Sequence, residues 1–201
     1  MSLEHNFHLS AASERNKIPI LSLLKKYLVL DESILEIGSG TGQHARFFAE
    51  QLPFIKWQPT DLSERIPTLN AYLKDSQSPN IYPTLPLNVS DNVWSKAAQE
   101  CSTAYTANTF HIMPLSAVAD FWKNITQTQC YKVVVYGPFT YKGQYTSASN
   151  EAFHKNLKSN NPEQGIRSFE EINSMAETAG FTLLRDHKMP ANNQLIVWYK
   201  P

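Results

Sequence analysis

Residues 34–42 read Ile34-Leu35-Glu36-Ile37-Gly38-Ser39-Gly40-Thr41-Gly42, a short apolar strand running into a glycine-rich turn. The turn opens a helix, Gln43-His44-Ala45-Arg46-Phe47-Phe48-Ala49-Glu50. Glycine has no Cβ, so its backbone can take positive φ and a ligand can approach it closely. A second strand is expected to end at Asp61, where an acid can accept hydrogen bonds from ribose hydroxyls. Strand, glycine turn, helix and acid, in that order, predict a nucleotide-type cofactor site.

The glycine spacing is Gly-x-Gly-x-Gly, with Glu36 two residues before the first glycine. The dinucleotide fingerprint Gly-x-Gly-x-x-Gly places a pyrophosphate at a helix N-terminus. Here Gln43 stands where its third glycine would be. The pattern Glu-x-Gly-x-Gly-x-Gly resembles motif I of the class I S-adenosylmethionine-dependent methyltransferases. The resemblance implies that Gly38, Gly40 and Gly42, with Ser39 and Thr41 between them, lie under the methionine part of S-adenosylmethionine. It also implies that Asp61, followed by Leu62, meets the ribose, and that Glu36 sits near the cationic end. The competing reading is a strand-to-helix turn that binds nothing.

The chain has 201 residues, of which 42% are hydrophobic and 18% charged, enough for one sizeable core. Its formal net charge is zero, whereas a protein gripping a nucleic-acid backbone usually shows a basic excess. A small-molecule substrate is therefore expected. Cys101 and Cys130 lack metal-ligand spacing and read as buried, reduced thiols. No signal-peptide core and no long apolar run is present, so a soluble, cytoplasmic protein without a membrane partner is expected. No His/Cys/carboxylate cluster suggests a metal, and His5 and His8 fall in a polar terminus.

Outward from the turn, strands and helices alternate. Residues 1–12 read as a loose arm, and Pro19 opens an amphipathic helix at its first turn. Strands are expected at 33–38, 54–60, 80–87, 104–111 and 131–136, and helices at 42–52, 62–75, 91–100 and 115–127. Pro83 and Pro86 weaken the third strand, and Ser90 or Asp91 is the expected cap of the 91–100 helix. The run Lys132-Val133-Val134-Val135 suits a central strand covered on both faces. Residues 137–167 read as an irregular lid or insert with a short helix over 150–159. Ser168 and Glu171 form a capping box for a helix over 169–179, ended by Gly180. Residues 181–187 and 193–200 alternate apolar and polar as an antiparallel pair. The sum is one α/β domain over 1–201, a Rossmann-like doubly wound sheet of seven strands with a C-terminal antiparallel strand pair.

Further segments narrow the family: Glu14-Arg15-Asn16-Lys17 before Pro19, Trp57-Gln58-Pro59-Thr60-Asp61, Tyr136-Gly137-Pro138-Phe139, Gly165-Ile166-Arg167 and Met189-Pro190-Ala191-Asn192-Asn193. Together with the turn they resemble the methyltransferase-like protein 26 family across nearly the whole chain. The resemblance implies fold and cofactor and does not name the methyl acceptor. The chain departs from the family pattern at Asn88, where an acid commonly ends strand three, and at His154, Lys158 and Gln164.

Methyl transfer from a sulfonium needs alignment, exclusion of water and sometimes a base. Candidates for that work are His111 after strand four, Tyr136 and Tyr141 around strand five, and Asn150 and Arg167 in the insert. Histidine titrates near neutral pH, so His111 is the candidate base; its alternative is a partly buried, backbone-bonded histidine. Arg167 either meets an anionic substrate group or anchors the insert. Arg15 and Asn16 lie in an arm that can close over the cofactor, with Arg15 suited to a carboxylate. His44 is a further candidate for the cofactor carboxylate, Asn108 for the pocket wall, and Asn88 with Val89 for the adenine. Tyr145 belongs to the lid, and Asn192 and Asn193 read first as turn residues. An NAD-binding oxidoreductase, a catalytically silent cofactor-binding module and a macromolecular methyltransferase are the alternatives.

Overall fold

Val133, Val134 and Val135 follow one another without polar alternation because both faces of their strand are covered. The computed structural model describes residues 9–201. It places this run in β5 (Lys132–Gly137), parallel to β4 (Thr103–Ala107) and antiparallel to β10 (Asn193–Tyr199). With β1 (Ser33–Ile37), β2 (Lys56–Asp61), β3 (Leu85–Pro86) and β9 (Thr182–Met189), the order is β3-β2-β1-β4-β5-β10-β9. Only β10 runs against its neighbours, pairing antiparallel with both β5 and β9. The strand order reverses at β1, which lies between β2 and β4. In an open α/β sheet a crevice forms at that point, outside the carboxyl ends of the strands.

Successive side chains of each strand point to opposite faces, and the core divides accordingly. Leu35, Val133, Val135 and Ile196 pack with α5 (Leu115–Ile125) and α7 (Phe169–Thr178). Ile34, Tyr105, Val134 and Val197 pack with α1 (Ala11–Tyr27), α2 (Gln43–Gln51) and α3 (Ile66–Leu73). At the amino ends of the strands Lys132 Nζ meets Glu32 Oε1 at 2.7 Å, both side chains buried, and the Tyr131 hydroxyl donates to the same carboxylate. The thiols of Cys101 and Cys130 are unpaired and buried, and burial pushes them up to about 11 and about 12. No described helix is long and apolar enough to cross a membrane.

Several boundaries differ from the sequence expectation. The α1 helix starts at Ala11, where Ser10 Oγ accepts the Ser13 N–H, so Pro19 lies inside it rather than at its start. Residues 1–8 of the expected loose arm, with His5 and His8, lie outside the described residues. The third strand shrinks to two residues plus an isolated bridge between Ile81 and Trp57, since a proline cannot donate to a ladder. The 62–75 helix divides into a single turn, Ser63–Arg65, and α3, with Pro67 in the first turn of α3. The 91–100 helix is only α4 (Lys96–Gln99), capped by Ser95. The insert holds β6 (Phe139–Tyr141), β7 (Gln144–Tyr145), α6 (Ala148–Asn160) and β8 (Arg167–Ser168), its strands forming a small sheet in the order β7-β6-β8.

Candidate functional site

The three glycines after β1 all have left-handed φ, at 70°, 59° and 83°, but for different reasons. A Cβ on Gly38 would stand 2.8 Å from Thr109 Cγ2, and one on Gly42 would stand 2.8 Å from Leu69 Cδ1. These two permit packing, and Gly42 faces α3 rather than the crevice. A Cβ on Gly40 would meet nothing within 4 Å. Its open side faces the crevice. The Gly40 N–H donates to Asp61 Oδ2 at 2.7 Å, and the Leu62 N–H donates to Asp61 Oδ1 at 2.8 Å. Asp61 thus ties the turn to the end of β2.

Beneath the turn, Glu36 is 2% exposed. Its Oε2 accepts from Ser39 Oγ at 2.8 Å and from Trp57 Nε1 at 3.0 Å. Burial pushes its carboxyl up to about 7, against the lowering effect of these two donors, and the Asp61 charge adds to the rise. Among the described residues Oε1 has no hydrogen-bond partner, and Glu36 lines the crevice.

The first turn of α1 closes one side. Gln43 Oε1 accepts from the Ser10 N–H at 2.6 Å and from Thr41 Oγ1 at 2.9 Å, while its Nε2 donates to Glu14 Oε1 at 2.9 Å. His44 lies between Asn16 Oδ1, 2.7 Å from Nε2, and the Tyr105 hydroxyl, 3.2 Å from Nδ1. Burial lowers its imidazole to about 4. A neutral ring with both nitrogens engaged is a poor partner for a carboxylate, so His44 holds Asn16 in place instead. Arg15 is exposed, lines the crevice and has no ion pair among the described residues.

The crevice consists of two adjoining cavities of about 530 Å³ and 380 Å³ that share Gly38, Gly40, Arg65, Thr109 and Ile112. The larger lies on the α1 side and takes in Arg15, Glu36, Ser39, Thr41, His44 and Asn108. Asn108 has φ 60°, and its N–H donates to the Tyr136 carbonyl at 2.8 Å. The smaller is lined by Asp61, Leu62, Asn88, Val89, Met113 and Gln164. Of its polar groups Asp61 is buried, whereas Asn88 is exposed and its Oδ1 accepts the Ser90 N–H at 3.1 Å.

The chemistry candidates separate. His111 is buried at the larger cavity, its ring 5.3 Å from that of Phe153 in an edge-on contact. Burial first, and the Arg167 charge second, lower it to about 4, so the ring is neutral at pH 7. It lies on a loop, because β4 stops at Ala107. Asn150 and Asn193 line the same cavity. Tyr136, Tyr141 and Arg167 do not. Tyr136 packs in the α1-side core with its hydroxyl accepting from Asn193 Nδ2 at 3.0 Å. The Tyr141 hydroxyl donates to Asp186 Oδ2 at 2.5 Å, and its ring stacks on Phe169. Arg167 spends its guanidinium on backbone carbonyls: Phe110 at 2.9 Å, Glu163 at 2.8 Å and Met113. It clamps the loop that carries His111 and is an anchor rather than a ligand group.

Three residues were missed as site builders. Gln43 read only as a broken fingerprint and is the clasp of α1. Trp57 entered only as part of the segment ending at Asp61, yet it donates to Glu36. Phe153 gave no signal beyond helix periodicity. The other outcome concerns Asn192 and Asn193: Asn192 makes the turn at φ 57°, whereas Asn193 reaches the cavity.

Residues 7–200 match the family described as "Protein of unknown function (DUF938)". Among solved structures, the S-adenosylmethionine-dependent methyltransferase SibL in its apo form superposes with a TM-score of 0.78 at 14% identity, over 95% of this chain and 56% of that one. Human N-acetylserotonin methyltransferase in complex with SAM gives 0.77 at 15% identity, over 94% of this chain and 52% of that one. A putative O-methyltransferase from Nostoc punctiforme gives 0.77 at 19% identity, over 94% of this chain and 58% of that one. The fold is therefore that of the class I methyltransferases. The chain spans about half the length of these proteins.

Proposed function

We propose that this chain, which belongs to the DUF938 family, binds S-adenosylmethionine in the double crevice and transfers its methyl group to a small molecule. The observation that carries the reading is Gly40. Its open face stands where the two cavities join, the larger being the more polar of the two, which suits a ligand with an amino-acid end and a nucleoside end. Glu36 and Arg15 fit the ammonium and carboxylate of the amino-acid part. Asp61 fits the ribose: each of its oxygens takes one backbone donor and keeps a lone pair. Leu62, Val89 and Met113 fit the flat adenine, with the Asn88 amide at its edge.

When bound, S-adenosylmethionine supplies a methyl group on a sulfonium and leaves as a neutral thioether. The protein's own tasks are to orient the acceptor, to exclude water and to receive a proton, for which neutral His111 is placed. A dinucleotide fits less well, because the α2 N-terminus is covered by buried Gln43 and the Ser10 backbone it holds. The neutral net charge supports a small acceptor over a nucleic acid. The two buried thiols suit a reducing, intracellular setting.

Calorimetric titration with S-adenosylhomocysteine, with NAD run alongside, tests the reading. Micromolar binding of the first alone is expected. Binding of NAD alone, or of neither, overturns it.

A further inference from the structure

Three polar side chains at the insert end of the larger cavity have hydrogen-bonding capacity that no described residue uses. Asn150 is 6% exposed, and its amide nitrogen donates to Thr146 Oγ1 at 2.8 Å and to the Asn192 carbonyl at 2.9 Å. Both amide hydrogens are engaged, so the amide cannot flip and its Oδ1 remains as an unpartnered acceptor. Asn193 gives one hydrogen to the Tyr136 hydroxyl, and its Oδ1 is likewise unpartnered among the described residues. His111 is 6% exposed with neither ring nitrogen bonded to a described residue. These residues line the cavity, where a ligand can pair the atoms that no described residue engages. Phe153 lies one turn along α6 from Asn150, on the same face, and packs its ring against His111. Pro138 and Ala191 supply further apolar wall.

We infer that this end of the cavity is the methyl-acceptor subsite and that it takes an uncharged aromatic hydroxyl compound. The inference rests on the cofactor reading above and deepens it. Asn150 Oδ1 and Asn193 Oδ1 can only accept at these atoms, so the acceptor must bring donors. Phe153 provides a flat apolar contact for a ring. A ring nitrogen of His111 takes the hydroxyl proton, and the electron pair so freed on oxygen would form the bond to the methyl carbon as that carbon's bond to the sulfonium sulfur breaks. Asn150 is thus a specificity residue whose orientation is fixed by Thr146 and Asn192.

The test uses three probes of one shape, titrated into the whole chain with and without S-adenosylhomocysteine and followed by protein NMR. Catechol carries donors, veratrole is the same ring with both hydroxyls methylated, and benzoate is an anion of similar size. Catechol is expected to bind most tightly and to shift the amides of residues 111, 150 and 193. Removing one hydrogen bond should weaken catechol about fivefold in Asn150→Leu, with S-adenosylhomocysteine affinity within a factor of about two of wild type. Phe153→Ala, at a side chain 38% exposed, gives a second variant with little risk to folding and is expected to weaken all ring probes. Veratrole or benzoate binding as well as catechol, no probe binding, or catechol affinity unchanged in both variants would overturn the inference. Absent S-adenosylhomocysteine binding with the probe order intact would instead count against the cofactor reading alone.

Discussion

Gln43 grips both backbone polar groups of Ser10: its Oε1 accepts the Ser10 N–H at 2.6 Å and its Nε2 approaches the Ser10 carbonyl at 3.4 Å. Ser10 is also the cap of α1, so one side chain of the glycine-turn helix fixes where the N-terminal helix begins. Gln43→Ala should loosen the first turn of α1 and withdraw Arg15 from the crevice. A loss of about 1–2 kcal/mol in S-adenosylhomocysteine affinity is expected, with faster amide exchange over residues 11–16 and a melting temperature close to wild type. Exchange and calorimetry on the same variant check this. Unaltered exchange there would show that the clasp does not hold the helix.

Asp61→Ala removes the acceptor of two backbone N–H groups as well as the expected partner of the ribose. Cofactor affinity should fall by roughly 1–3 kcal/mol. Titration at full strength in this variant would place the binding site elsewhere.

Glu36 gives a pH dependence with a defined sign. Its folded-state carboxyl is raised from 4.5 to about 7, so between these values the native state holds a proton that the unfolded state has lost. Its contribution to stability is therefore most favourable below pH 4.5 and declines as pH rises towards 7, by about 3 kcal/mol in all. His44 and His111, both lowered to about 4, act in the opposite sense: stability is gained as pH rises from 4 through 6.5. Wild type minus Glu36→Gln isolates the first effect. Urea midpoints at pH 5, 6 and 7 should show that difference falling with pH. A constant difference would mean that Glu36 titrates normally.

The buried pair at the other end of the sheet predicts a stability loss without a binding loss. Lys132→Met leaves the buried Glu32 carboxyl with the Val29 N–H, Tyr131 and Thr103 as its side-chain partners among the described residues. Removing one member of such a pair costs about 3–5 kcal/mol. Chemical denaturation should show that loss, while the surviving folded fraction binds S-adenosylhomocysteine as wild type does. A weakened affinity would mean that the two ends of the sheet are coupled.

Much of this was legible in the chain because the residues concerned act locally. The turn from Gly38 to Gly42 and the acid at Asp61 announce themselves by spacing, and the valines of β5 by lack of alternation. What escaped depends on contacts distant in sequence. Arg167 meets carbonyls at Phe110 and Met113, over fifty positions away, and nothing in its own neighbourhood separates that from an anion site. Tyr141 is drawn from the expected lid by Asp186 and Phe169. The start of α1 was misplaced because residues 11–18 are largely polar and exposed, with Asn16 alone buried, so no apolar period marks them. Pro19 looked like a start signal and is an interior residue.

The glycines provide the most direct test, since Gly40 alone of the three leaves open space for a Cβ and that space lies in the crevice. Gly42→Ala should cost stability by driving a methyl group into Leu69 and Leu73, by about 1–3 kcal/mol, and should leave binding in place. Gly40→Ala has room for its methyl group and costs only the left-handed backbone, about 1–2 kcal/mol. That methyl group would stand where the cofactor passes. The measurement is calorimetric titration of S-adenosylhomocysteine into wild type and Gly40→Ala, each verified as folded. Micromolar binding to wild type, weakened at least about tenfold in the variant, is the expected result. Equal affinity in both proteins would contradict the assignment of the crevice at Gly40 as the cofactor site.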